Sequence, residues 1–379
     1  MMNMKEAIFA VSLVILLIFS EFGFVMSSST QESATVQSYG KVLYTKRFRV
    51  GVNYLSLYYM YSNTYTANDT LRRDFNNFQQ DGIDTISLCL PWYRLEGDTR
   101  GSYDGVYADK TPYGRRVLDN IKRIVQIAKE YDIKVIFTIH TLWGPDDSPW
   151  CTPDYVIDPI SNKNIGLAVV RSEEMKQAFV DMFNYTVQYL VDTPGIYAFA
   201  LLNEPWYWGR TASEHDFITS NGKTQKENFI EIIQEMSNMV DQYYGCKKTI
   251  RFICSLFQRD WNWDQRIFDA LDFISFNAYP SPALGNSYLD LIRNNVEGCI
   301  QRNKQVWITE FGYATSDDLE QQQVYRYAVS FFKTLPIEGY IAWFWRGDSS
   351  ISNPGSLGSG YNLCKNIEGE PRPAYYDLI

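Results

Sequence analysis

Eight short apolar runs, separated by longer stretches of mixed polarity, set the rhythm of this 379-residue chain. They fall at 48–54, 83–90, 133–140, 196–203, 249–256, 273–279, 305–310 and 339–345. Each has the length and the Val, Ile and Phe content of a strand buried on both faces. The intervening stretches 70–81, 115–131, 173–191, 226–244, 289–302 and 319–335 read as helices. In one of them Val117, Ile121, Ile124, Val125 and Ala128 recur at the three/four spacing of a helix that buries one face. Strands alternating with helices predict a parallel sheet with right-handed crossovers. Eight such units close naturally into a (β/α)8 TIM barrel, which occupies about 250 residues or more. A doubly wound open sheet is the alternative, but no glycine-rich phosphate loop follows the first run.

The ends of these runs are polar. Asn53, His140, Asn203, Glu204, Asn277, Tyr279, Glu310, Trp345 and Asp348 stand at or just past them. Core packing does not need hydrogen-bonding groups there, whereas a shared cleft at the C-terminal ends of barrel strands does. Two glutamates carry most of the meaning. Glu204 ends Ala198-Phe199-Ala200-Leu201-Leu202-Asn203, and Glu310 ends Val306-Trp307-Ile308-Thr309. A buried strand carries a charge at its tip only where that tip meets a polar cleft. A convergent pair of carboxyl groups is the machinery that cleaves glycosidic bonds. The competing reading is a pair of rim carboxylates held in salt bridges.

Composition adds less. Hydrophobic content of 45% suits one large core. Aromatic content of 16%, with 28 Tyr and 10 Trp, suits either that core or a cleft whose rings stack on sugar C–H faces. A net charge of −9 argues against nucleic acid or anionic lipid as a partner. At the N-terminus Lys5 precedes the apolar stretch 7–19, and Glu21 breaks it. Such a segment is short for a membrane span and fits a signal-peptide core. We therefore expect a signal peptide or membrane anchor over 1–27, a Ser/Thr/Gln-rich linker over 28–40 and a single catalytic domain over 41–379, secreted or held at the cell surface. Six cysteines allow fifteen disulfide connectivities. Cys89 and Cys254 lie in apolar runs and read as buried thiols, while Cys151 and Cys364 are the pair expected to meet in loops on one face.

At this point the chain resembles glycoside hydrolase clan A, most closely family 5, from about residue 48 to residue 378. Leu202-Asn203-Glu204-Pro205 resembles the fourth-strand motif carrying the acid/base, and Ile308-Thr309-Glu310-Phe311-Gly312 the seventh-strand motif carrying the nucleophile. Pro371-Arg372-Pro373-Ala374-Tyr375 resembles the chain ends of several clan members. The resemblance implies a retaining hydrolase of a β-linked oligosaccharide or polysaccharide, endo-glucanase or mannanase in type, monomeric and without metal or organic cofactor. It implies Glu204 and Glu310 as catalytic residues, with Asn203, His140, Asn277, Tyr279, Trp343, Asn53 and Trp92 as sugar contacts. Among the aromatic residues of the eighth run, alternation lets only some face a cleft, and the family pattern favours Trp343. A hydrogen-bonded core histidine is the rival reading of His140. Two departures stand out. The arginine usual on strand two is absent from Thr85-Ile86-Ser87-Leu88-Cys89-Leu90, and strand six has Asn277-Ala278-Tyr279 in place of His-x-Tyr. Trp92-Tyr93-Arg94-Leu95-Glu96, with Tyr103-Asp104-Gly105 after it, resembles the clan's β-galactosidase families instead. An exo-acting β-mannosidase or β-galactosidase is therefore one alternative, and a glycan-binding barrel without turnover is another.

Overall fold

Parallel ladders join each strand to the next and the last to the first, so eight strands close a barrel in the order β1 to β8. The strands are β1 (Arg49–Asn53), β2 (Thr85–Pro91), β3 (Lys134–His140), β4 (Ile196–Asn203), β5 (Lys247–Ile253), β6 (Phe273–Asn277), β7 (Gln305–Phe311) and β8 (Gly339–Ala342). This is the (β/α)8 barrel that the spacing of apolar runs predicts, seen in a computed structural model that describes residues 48–54, 68–96, 100–101, 117–140, 152–205, 218–219, 221–257, 264–345, 359–365 and 369–379. The expected signal and linker segments lie outside the described residues, as does Cys151. Among the described residues no helix is long and apolar enough to cross a membrane.

The strand bounds differ from the expected ones where polarity misleads. β5 starts at Lys247 rather than residue 249, and its last expected residues form a separate 3-10 turn, Cys254–Leu256. A lysine at a barrel rim can pair its backbone while its ammonium stays near water, so polarity there does not end a strand. The long helices Asn68–Asp81, Val117–Glu130, Glu173–Leu190, Gln225–Tyr243, Gly285–Ile300 and Asp318–Phe332 occupy the expected stretches. Several begin at side-chain caps. Ser172, Thr224 and Asp317 each accept a backbone N–H from the first turn, which satisfies a donor the helix itself leaves open.

Most of the core lies between barrel and helices, built from residues such as Phe75, Phe78, Phe137, Phe179, Phe199, Phe276 and Tyr340. A smaller apolar cluster fills the lower barrel: Ile136, Ala198, Ala200, Phe273, Trp307 and Ile341. Above it the inward positions turn polar, with Ser87, Thr249, Arg251, Ser275, Asn277 and Thr309 all buried. Register shifts interrupt the ladders between Ala200 and Asn203 on β4, Phe276 and Asn277 on β6, and Ile308 and Phe311 on β7. Strict alternation from Ala198 and Ala200, or from Trp307 and Thr309, would aim Asn203 and Glu310 at the helices. Irregularities of this kind re-aim a side chain at the end of a strand, and these fall where the two motif glutamates leave the sheet.

Candidate active site

Glu310 is buried near the top of β7, and two neighbours hold its carboxylate. Arg251 on β5 donates to Oε1 at 2.5 Å in a buried ion pair. The Tyr279 phenol, two residues past β6, donates to Oε2 at 2.7 Å. Asn277 at the end of β6 pairs with Glu310 across the β6–β7 ladder, so its amide lies near the carboxylate. Burial raises the Glu310 pKa, while the Arg251 charge and these hydrogen bonds pull it back towards the ionised form. Tyr279 is raised well above the usual phenol range by burial and then by the Glu310 charge, so it remains a donor.

Glu204 follows β4 directly. Its backbone adopts φ +51°, a left-handed conformation that costs a non-glycine residue about 1 kcal/mol or more. Its N–H donates to the Arg251 carbonyl at 2.7 Å, which fixes the turn. The side chain is half-buried, and the Asn277 Nδ2 donates to Oε1 at 2.9 Å. Burial pushes this carboxyl up to about 7, and the nearby Glu310 charge adds to the rise. Asn277 thus holds the Glu204 carboxyl while its backbone pairs with Glu310. Asn277 also donates to the Asn203 side chain at 3.3 Å, which places Asn203 beside Glu204.

Arg251 is fully buried and was not among the expected site residues. Its guanidinium also donates to Ser87 Oγ at 3.2 Å, Asn53 Oδ1 at 3.2 Å and the Thr309 carbonyl at 2.9 Å. Ser87 stands on β2, so the strand that lacks an arginine supplies a small acceptor to one arriving from β5. The sequence did hold a signal. A charge inside Thr249-Ile250-Arg251-Phe252-Ile253 must be paired if the run is a buried strand.

Two expected sugar contacts are corrected. Asn53 is buried inside the barrel, where its amide donates to the Thr309 and Ala342 carbonyls and its oxygen accepts from Arg251. Its polar atoms are used within the protein, and it supports Arg251 rather than a ligand. Trp92 is 0% exposed in the short helix Trp92–Glu96. It packs edge-on against Phe179 and donates to Glu96 at 2.6 Å, so it offers no ring face to a sugar. Trp343 lies one residue past β8 and is half-buried, whereas Trp345 is buried against Phe78 and Tyr375 and donates to Asp74. His140 closes β3, but its side chain is outside the described residues. Cys254 is a buried free thiol, Cys89 is buried on β2, and Cys364 Sγ donates to the Trp345 carbonyl.

No protein-family model and no curated protein matches the sequence. Solved structures do match the fold. An exo-β-1,4-mannosidase from Opitutaceae bacterium strain TAV5 aligns with 92% of this chain at TM-score 0.64 and 14% identity, and the chain spans 61% of that protein's length. An endo-1,4-β-D-mannanase from Thermotoga petrophila RKU-1 aligns with 88% of this chain and 98% of its own at TM-score 0.62 and 15% identity. A GH5_18 protein from Streptomyces cattleya, solved with Manβ1-4GlcNAc, aligns with 88% of this chain and 79% of its own at TM-score 0.63 and 13% identity. At such identities the likeness is one of fold: the chain has the barrel of glycoside hydrolase family 5 structures.

Proposed function

We propose that this chain is a retaining glycoside hydrolase acting on β-mannosides. The observation that carries the reading is that Arg251 links the two groups: its guanidinium pairs with the Glu310 carboxylate and its carbonyl accepts the Glu204 N–H, so an ion-paired carboxylate stands near a carboxyl of pKa about 7. Retaining chemistry needs two carboxyl groups about 5–5.5 Å apart, one ionised and one protonated. Glu310, held by Arg251 and Tyr279, attacks the anomeric carbon. As that bond forms, the glycosidic C–O bond breaks and Glu204 gives its proton to the leaving oxygen. Formation of the ester removes the Glu310 charge and part of what raises Glu204, which then takes a proton from the water that releases the sugar. Asn203, beside Glu204, is the group for the sugar 2-hydroxyl. The mannoside assignment is supported by the mannosidase and mannanase among the similar folds.

The test is to incubate the protein with β-mannan, manno-oligosaccharides and aryl β-mannosides, alongside glucan, xylan and galactan counterparts, and to follow the first product by NMR. We expect hydrolysis of the mannosides with a β-configured first product. An α-configured first product contradicts the retaining assignment, and cleavage of the other glycans alone contradicts the sugar.

A further inference from the structure

Gly312, two residues past Glu310, opens a gap that a third aromatic residue fills. A side chain at Gly312 would come within 2.5 Å of the Trp343 carbonyl and 3.1 Å of the Tyr361 ring. Tyr361 ends a short 3-10 turn, Ser359–Tyr361, well beyond β8 in sequence. Its ring stands edge-on to Tyr279, with centroids 6.2 Å apart, so it lies beside the phenol that holds the nucleophile. Among the described residues its hydroxyl has no hydrogen-bond partner, and the ring is only part-buried. Burial first, and then the charges of Glu310 and Glu204, raise its pKa and keep it protonated and able to donate.

Its backbone is held firmly. Arg372, 0% exposed, donates to the Gly360 and Asn362 carbonyls on either side of Tyr361, and to Thr315 O and Asp318. Gln321, also 0% exposed, donates to the same two flanking carbonyls and to Tyr313 O. The Thr315 N–H donates to Gly360 O at 3.0 Å. Two buried side chains thus converge on the peptide groups around one tyrosine whose own hydroxyl has no partner among the described residues. A group fixed in this way beside a reacting centre suits recognition, because its orientation is settled before the ligand arrives.

We propose that Tyr361 is a specificity-setting substrate contact: its phenol donates a hydrogen bond to a ring hydroxyl of the sugar seated over Glu310, and Arg372 with Gln321 holds it in place. This rests on the hydrolase reading above. Tyr361→Phe keeps the ring and removes only the hydroxyl, and the two proteins are compared on an aryl β-mannoside and on its monodeoxy analogues. We expect kcat/KM on the parent mannoside to fall about tenfold, the worth of one hydrogen bond. On the one analogue lacking the contacted hydroxyl the loss should shrink to less than about twofold. The thermal midpoint should not move, since no partner among the described residues is lost. An unchanged kcat/KM on the parent, or an equal loss on every analogue, overturns the proposal. A wild-type protein that hydrolyses no glycoside contradicts the hydrolase reading instead. The phenol is then read from mannobiose binding, where Tyr361→Phe must weaken Kd about tenfold for the inference to stand.

Discussion

The lower and upper halves of the barrel interior come from the same eight strands and have opposite chemistry. Below, Ile136, Ala198, Ala200, Phe273, Trp307 and Ile341 fill the space with apolar atoms. Above, Asn53, Ser87, Arg251, Asn277 and Thr309 form a connected polar network under Glu310. β7 shows both within a few residues, from Trp307 in the apolar layer to Thr309 and Glu310 in the polar one. A buried polar network costs free energy unless each member is satisfied. Its presence in a barrel that could have been packed with apolar side chains throughout points to a task other than stability. Changes below should therefore move stability alone, and changes above should move activity further than stability explains.

The largest effect expected is at Glu310 itself. Glu310→Ala should lower kcat on an aryl β-mannoside by about 100,000-fold or more. Glu204→Ala should also be severely impaired, and added azide should partly restore it by taking the sugar as a β-glycosyl azide. Next comes Arg251→Met, with kcat lower by about 100- to 1,000-fold and stability lower by about 3–5 kcal/mol, because the change leaves Glu310 buried without its cation. Denaturant melts and kinetics on the same preparation separate the two losses. A stability loss with kcat unchanged would assign Arg251 to the structural half. The pH profile sharpens the contrast. Glu204 must carry its proton to act as the acid, and its pKa is about 7. Activity should thus be lost as pH rises through about 7, falling tenfold per unit above it. An alkaline limb two units away breaks the assignment. Smallest in activity is Trp92→Ala, which should cost about 3–5 kcal/mol of stability and leave KM unchanged.

What could be read in the sequence follows the same division. The barrel and its strands were legible because two-sided burial writes continuous apolar runs. Glu204 and Glu310 were legible because a carboxylate ending such a run is rare. Arg251 was harder to read. Its pairing spans β1, β2, β5 and β7, and no local pattern marks a cross-barrel hydrogen bond. Asn53 looked like its neighbours at the strand ends, yet the described contacts turn it inward. Trp92 shows how little residue type says about direction, since the helix that follows β2 swings the indole onto Phe179. Tyr361 left no readable signal, because its place depends on Arg372 and Gln321 folding back from distant segments.

The most direct measurement asks whether Glu310 forms a bond to sugar. The protein is treated with 2-deoxy-2-fluoro-β-mannosyl fluoride, whose fluorine slows release of a covalent intermediate, and digested for peptide mass mapping. The account predicts one fluorosugar adduct, on the peptide bearing Glu310, and none in Glu310→Ala. An adduct on another residue, or steady turnover of ordinary β-mannosides by Glu310→Ala, would contradict it.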